Sequence, residues 1–265
     1  MADKALLVGI NKYPGAPLAG CLNDVINMAR FITTSDLRFD PTNVRLLTDE
    51  RANTEGILER LGWLVTGLRE GDRILFHYSG HGAQVATRAG SGEIDGRDEC
   101  LCPYDFDWSP SRMILDKQLH EIFDVIPPGV KAIFISDSCH SGDLTKNSDG
   151  LGGRRVKAFP APADIAWRLE AAKMVGMERQ ASPYPNIALI SGCKSDQTSA
   201  DARFGNTSEG ALTHYLLQVL SGPGGLTLPL TVVGDRVRTV LAENSYEQRP
   251  QVEGPESLIL RPFLQ

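Results

Sequence analysis

Two short polar motifs place reactive side chains among glycine and serine. One is Tyr78-Ser79-Gly80-His81-Gly82 and the other is Asp137-Ser138-Cys139-His140-Ser141-Gly142. Each follows a short apolar run, Arg73 to Tyr78 and Ile133 to Ile135, which reads as a buried strand of a parallel sheet. If the two strands are parallel neighbours, their ends share the sheet edge where open α/β sheets form sites. His81 and Cys139 then face one crevice. A thiol is only partly ionised at neutral pH, so a nucleophilic cysteine needs a nearby base, which His81 supplies. The glycines allow close backbone approach and leave N–H groups free. The amides of Gly82 and Cys139 are natural donors to an oxyanion. The chemistry indicated is acyl transfer through a thioester, as in peptide hydrolysis by a cysteine protease.

A plainer reading stands beside this one. A cysteine at a strand end is most often a small buried hydrophobe, and a histidine in a polar turn is most often solvated or hydrogen-bonded. His77 lies inside its strand and reads as a core residue or a support for the site. His140 follows Cys139 directly, and adjacent residues on extended backbone point apart, so it ranks below His81 as the base. His120 and His214 fall in helical stretches and read as structural. Cys100-Leu101-Cys102 lacks the spacing of a zinc knuckle, and no second Cys/His pair matches it.

The chain of 265 residues is ample for one large core. Its net charge of −6 and the lack of any lysine/arginine-rich tract argue against a nucleic-acid partner. Five scattered cysteines fit a reducing compartment better than a disulfide framework. The apolar run Ala5 to Ile10 is too short for a signal peptide, and nothing later approaches a membrane span. A soluble cytoplasmic protein is the expectation.

The elements that must position the motifs alternate between strand and helix. Strands are expected at Ala5–Ile10, Asn43–Thr48, Arg73–Tyr78, Ile133–Cys139, Asn186–Ser191 and, last, Ser257–Leu260. Helical spacing appears at Leu22–Thr34, Glu55–Leu68 with Thr54 as N-cap, Lys117–Ile126, Ala163–Met174, Gly210–Leu220 and Leu230–Ala242. Polar loops are expected at Ala83–Arg97, Asp143–Lys157 and Gly192–Gly205. This order implies βαβ units and a mostly parallel sheet with helices on both faces, its last strand antiparallel at an edge.

The two motifs together resemble the catalytic pair of the metacaspases, in the caspase-like cysteine peptidase clan. Gly20-Cys21-Leu22-Asn23-Asp24 and Ser191-Gly192-Cys193-Lys194-Ser195-Asp196-Gln197-Thr198-Ser199-Ala200-Asp201 resemble two further motifs of that family, and Lys4 to Tyr13 resembles its first strand. The His-before-Cys order excludes the papain-like arrangement. The resemblance implies one caspase-like peptidase domain over residues 1–265. It would be a three-layer sandwich on a six-stranded sheet, with a large part to about 145, a linker at about 143–160 and a small part beyond. It also implies a His81/Cys139 dyad and protein substrates cut after Arg or Lys, with Asp24, Asp137 and Ser79 receiving the basic side chain. A guanidinium or ammonium in a desolvated pocket requires such carboxylates.

Many metacaspases need calcium. Asp98 and Asp116 match two of the family's acidic positions, but the other two fall on Lys117 and Lys146. Ammonium groups there weaken a hard-cation site, so calcium is expected not to be required unless Glu93, Asp95 or Asp143 compensates. Lys146, Arg154, Arg155 and Lys157 make the linker a candidate for self-cleavage, or equally a solvated loop. The rival class is a caspase-fold binding module without activity; a caspase-like enzyme that reads acidic residues is a third reading.

Overall fold

The computed structural model describes residues 2–86, 97–140, 154–174, 184–193, 197 and 199–265. In chain order the strands are β1 (Asp3–Gly9), β2 (Val44–Thr48), β3 (Arg73–Ser79), β4 (Gly82–Ala86), β5 (Arg97–Leu101), β6 (Ile114–Leu115), β7 (Lys131–Asp137), β8 (Arg155–Val156), β9 (Ala188–Ser191), β10 (Ala200–Phe204), β11 (Thr207–Gly210) and β12 (Gln251–Glu253). The helices are α1 (Cys21–Thr34), α2 (Thr54–Val65), α3 (Asp116–Asp124), α4 (Ala163–Met174), α5 (Ala211–Ser221), α6 (Leu230–Glu243) and α7 (Glu256–Ile259).

Six strands form the central sheet in the order β12-β9-β7-β3-β1-β2. All its pairs are parallel except β9 with β12. Alternate residues of each strand point to opposite faces, and each face is apolar. Leu6, Val8, Ile74, Phe76 and Phe134 pack against Ile57, Leu61 and Leu64 of α2 and Leu119 and Phe123 of α3. Ala5, Leu7, Leu75, Ile133 and Ile135 pack against Val25, Met28 and Ile32 of α1, with α5 and α6 beside them. The strands read as unbroken apolar runs for that reason: both faces are covered.

The register fixes the site edge. Gly9 pairs with Ser79, and Ser79 pairs with Asp137. The C-terminal ends of β1, β3 and β7 are therefore level. Gly9 also lets α1 come close, since a Cβ there would meet the Cys21 carbonyl at 2.6 Å. Two smaller sheets flank this edge, β4-β5-β6 and β11-β10-β8.

Three expectations change. Ser257–Leu260 is not the last strand; that stretch holds α7, begun by Pro255, whose ring suits a helix start. The antiparallel edge strand is β12, just before it. The cap of α2 is Asn53, whose side chain accepts from the Gly56 N–H, while Thr54 bonds to Asp105. The polar stretches after Gly82, Gly142 and Gly192 are not wholly loop: their ends form β4, β5, β8 and β10. Backbone pairing prevails there over a polar composition that lacks any hydrophobic period.

Phe76 is fully buried and stacks on Phe134 at 4.7 Å between ring centroids, with Phe123 at 6.2 Å. Phe76→Ala should destabilise the fold by about 3–5 kcal/mol in denaturant unfolding, through lost burial and the cavity left behind. A loss below about 1 kcal/mol would mean that the two-faced core described above does not hold the sheet.

Candidate active site

The loop Gly80–His81 leaves β3, and the chain returns at once as β4. The imidazole of His81 is buried, and its Nε2 lies 2.7 Å from the Ala16 carbonyl. A carbonyl only accepts, so Nε2 carries the proton and Nδ1 keeps its lone pair. Nδ1 has no hydrogen-bond partner among the described residues. Burial pushes the imidazole down to about 4, against the pull of the Ala16 carbonyl, so it is neutral near pH 7. The neutral imidazole keeps a lone pair on Nδ1 that can take a proton, although burial makes it a weaker base than a solvated one.

Cys139 lies two residues beyond β7 and is fully buried. Its thiol donates to the Ser199 carbonyl at 3.4 Å and accepts from the Ser199 N–H. In this form the sulfur is therefore bonded to Ser199 and not to His81. Cys193, in the loop after β9, also approaches it, and the hydrogen bond with Cys139, helped by burial, raises the Cys193 thiol well above its ordinary value.

The space between the two motifs holds a piece of the chain itself. Residues 155–159 run across the sheet edge between β10 and Gly82. Val156 pairs with Ala200, and the Lys157 N–H donates to the Ser199 carbonyl at 3.0 Å. Ala158 bridges Gly82, and the Phe159 N–H donates to the Gly82 carbonyl at 2.8 Å. The carbonyl oxygen of Lys157 accepts two bonds, from Gly82 N–H at 3.0 Å and Cys139 N–H at 3.1 Å. These are the two amides that the sequence assigns to an oxyanion. A Cβ on Gly82 would collide with the Cys139 carbonyl, so only glycine allows this approach.

The Lys157 side chain is wholly buried and makes all three bonds that an ammonium can donate. Its Nζ lies 3.1 Å from Asp24 Oδ2, 2.9 Å from Ser79 Oγ and 3.1 Å from Asp137 Oδ1. Asp24 stands in the first turn of α1, while Ser79 and Asp137 end adjacent strands in register. Burial pushes the Asp24 carboxyl above its usual range, with the Asp137 charge adding to that push and the Lys157 ammonium opposing it. For Asp137 the burial penalty is outweighed by Lys157 and by two hydrogen bonds from Thr213, so it stays below its usual range. Desolvation lowers Lys157, but Asp137 and Asp24 overcome it and hold the ammonium charged.

Several site residues carried no signal of their own in the sequence. Thr213 N–H and Oγ1 donate to Asp137 Oδ2 at 3.0 and 2.7 Å. The Thr213 hydroxyl then accepts from His77 Nε2 at 3.1 Å, which gives His77 its supporting place. Ser199 Oγ donates to Asp137 Oδ1 at 2.9 Å. Gly210 N–H donates to Asp24 Oδ1 at 2.8 Å, and any Cβ there would fill the lysine pocket. The αβ packing of α5 and the β10–β11 hairpin delivers these groups from far along the chain. The other histidines lie outside the centre: His140 pairs with Glu99 at 3.1 Å, His214 with Glu209 at 2.8 Å, and His120 stacks on Tyr184.

Asp98 and Asp116 each face a protein partner. Asp98 has the Lys117 ammonium 3.6 Å from one oxygen, and Asp116 accepts from the Tyr184 hydroxyl. Among the described residues no group of three metal-ligating side chains comes together. Glu93, Asp95, Asp143 and Lys146 lie outside the described residues.

Comparison with known proteins gives the family and the fold. A family profile described as metacaspase, peptidase C14 domain, matches residues 3–147. Metacaspase-1 of Yarrowia lipolytica is 33% identical over 290 residues, which cover 94% of this chain and 60% of that protein. Metacaspase-1 of Lodderomyces elongisporus is 32% identical over 94% of this chain and 64% of its own length. The chain thus spans less than two thirds of these relatives. A crystal structure of a Geobacter sulfurreducens protein superposes with a TM-score of 0.72 at 25% identity over the whole of both chains. Caspase-1 from Spodoptera frugiperda does so with a TM-score of 0.57 at 13% identity, over 98% of this chain and 88% of its own, a likeness of fold. The expected caspase-like sandwich is borne out, and the chain belongs to the metacaspase family.

Proposed function

We propose that this protein is a cysteine endopeptidase that hydrolyses peptide bonds after lysine or arginine. One observation carries the reading. Lys157 lies in the site as a substrate residue would, its ammonium among Asp24, Ser79 and Asp137 and its carbonyl on the amides of Gly82 and Cys139. Two buried carboxylates without a cation repel each other and lose hydration, so the empty pocket favours a basic side chain strongly. An acidic side chain there would add a third negative charge, which counts against the acid-specific reading.

The chemistry follows from the atoms at hand. The Cys139 thiol turns from Ser199 and gives its proton to His81 Nδ1. The sulfur bonds to the carbonyl carbon, and the oxyanion takes the Gly82 and Cys139 N–H bonds. His81 then returns the proton to the departing amine, and the C–N bond breaks to leave a thioester. Water attacks the thioester with its proton taken by His81, releasing a carboxylate and the free thiol. Ala16 keeps the imidazole in the required tautomer throughout, by holding the proton on Nε2. Thr213 and Ser199 keep Asp137 ionised and pointed at the basic side chain.

Calcium has no part in these steps. Lys117 supplies a positive charge beside Asp98, where a cation would otherwise stand. Activity in excess chelator should match that in added calcium within about twofold, since hard-cation sites need several carboxylates. A complete loss that calcium restores would overturn this part of the reading.

The enzyme reading is tested with fluorogenic peptides ending in Lys, Arg or Asp, on the wild type and on Lys157→Gln, which clears the pocket. Both basic peptides should be cleaved and the acidic one not. Cys139→Ala should abolish the signal, and Asp137→Asn should lower kcat/KM at least about 30-fold by leaving a buried ammonium half-paired. A flat signal from both proteins across conditions would favour a caspase-fold binding module instead.

A further inference from the structure

The bound segment does not stop at the bond that would be cut. Two residues beyond it, the ring of Phe159 enters a cluster of aromatic side chains. Its centroid lies 5.1 Å from Phe106, 5.3 Å from His81, 5.8 Å from Tyr13 and 6.3 Å from Trp108. Most contacts are edge-on or tilted, the arrangement that aromatic quadrupoles favour. The cluster is also braced internally, since Tyr13 meets His81 at 4.6 Å and Phe106 meets Trp108 at 4.9 Å.

Three features mark this cluster as a receiving pocket and not mere core. The Phe159 backbone is held as a strand by Gly82, as Lys157 is by Ser199, so both sides of the bond are gripped alike. Trp108 sits at φ +68°, a conformation that a bulky side chain adopts at a cost, and this turn brings its ring to the cluster. The proposed base His81 forms one wall, so a ring in the pocket packs against the group that moves the proton.

We propose that this cluster is a second specificity pocket, which takes an aromatic side chain two residues after the cut bond. It rests on the reading of Lys157 as a substrate-like residue. Preferred substrates then carry a basic residue, any small residue and an aromatic residue in that order, as Lys157-Ala158-Phe159 does. The backbone pairing to Gly82 sets the register, and the pocket reads the side chain.

The test uses three internally quenched peptides that are identical except at the second position after lysine, which is Phe, Ala or Glu. Each is assayed on the wild type and on Phe159→Ala, in which the chain's own ring cannot compete. The Phe peptide should exceed the Ala peptide in kcat/KM by at least about tenfold, with Glu lowest, given what burial of an aromatic ring contributes. Phe106→Ala should compress the Phe-to-Ala ratio towards one. Trp108→Ala should do the same, and stands in if Phe106→Ala does not fold. Equal cleavage of all three peptides by Phe159→Ala, or a ratio untouched by both pocket variants, overturns the pocket alone. No cleavage after lysine in any peptide removes the peptidase reading and the pocket with it.

Discussion

A buried ammonium between two buried carboxylates governs the architecture of this site. Moving each of these ions out of water costs several kcal/mol, and only close pairing with full hydrogen bonding offsets it. Here the pairing is complete: Lys157 spends its three donors on Asp24, Ser79 and Asp137. The carboxylates are satisfied in turn by Gly210, Ser199 and Thr213. These partners come from α1, β3, β7, the loop before β10, the end of β11 and the start of α5. A single charge cluster thus ties the first helix to the last third of the chain.

The parallel register makes the cluster attainable. Ser79 and Asp137 are direct cross-strand partners, and Cys139 and His81 each follow two residues later. Charge selection and bond cleavage are therefore set by the same two strands, a fixed distance apart along the backbone. The charge-selecting pair ends the strands themselves, and the reacting pair follows within two residues of those ends, which suits chemistry that depends on close placement. The glycines at positions 82 and 210 then open the two spaces that the segment needs, one for its carbonyl and one for its ammonium.

Much of this was legible in the sequence, for identifiable reasons. The runs Ala5–Ile10, Arg73–Tyr78 and Ile133–Ile135 are apolar on both faces, so their place inside a covered parallel sheet followed from pattern alone. That put His81 and Cys139 at strand ends. Other parts resisted. Ser257–Leu260 is as apolar as a strand, and periodicity over four residues does not separate a strand from a helical turn. Thr213 and Gly210 matter only through contacts with residues some 76 and 186 positions away. The pocket around Phe159 needed a fold before its rings could meet. Lys157 could be named as a candidate for cleavage, but whether it lies in solvent or in the site is decided by tertiary pairing with Ser199 and Gly82.

The central claim is that Lys157 is held as the enzyme's own first substrate residue, with the Lys157–Ala158 bond placed for attack. Intact mass and N-terminal sequencing of purified wild type and Cys139→Ala protein address it directly. The account predicts a wild-type fragment that begins at Ala158 and an uncut Cys139→Ala chain. A wild type that cleaves basic peptides yet stays whole at this bond, or a Cys139→Ala protein cut there equally, would contradict it.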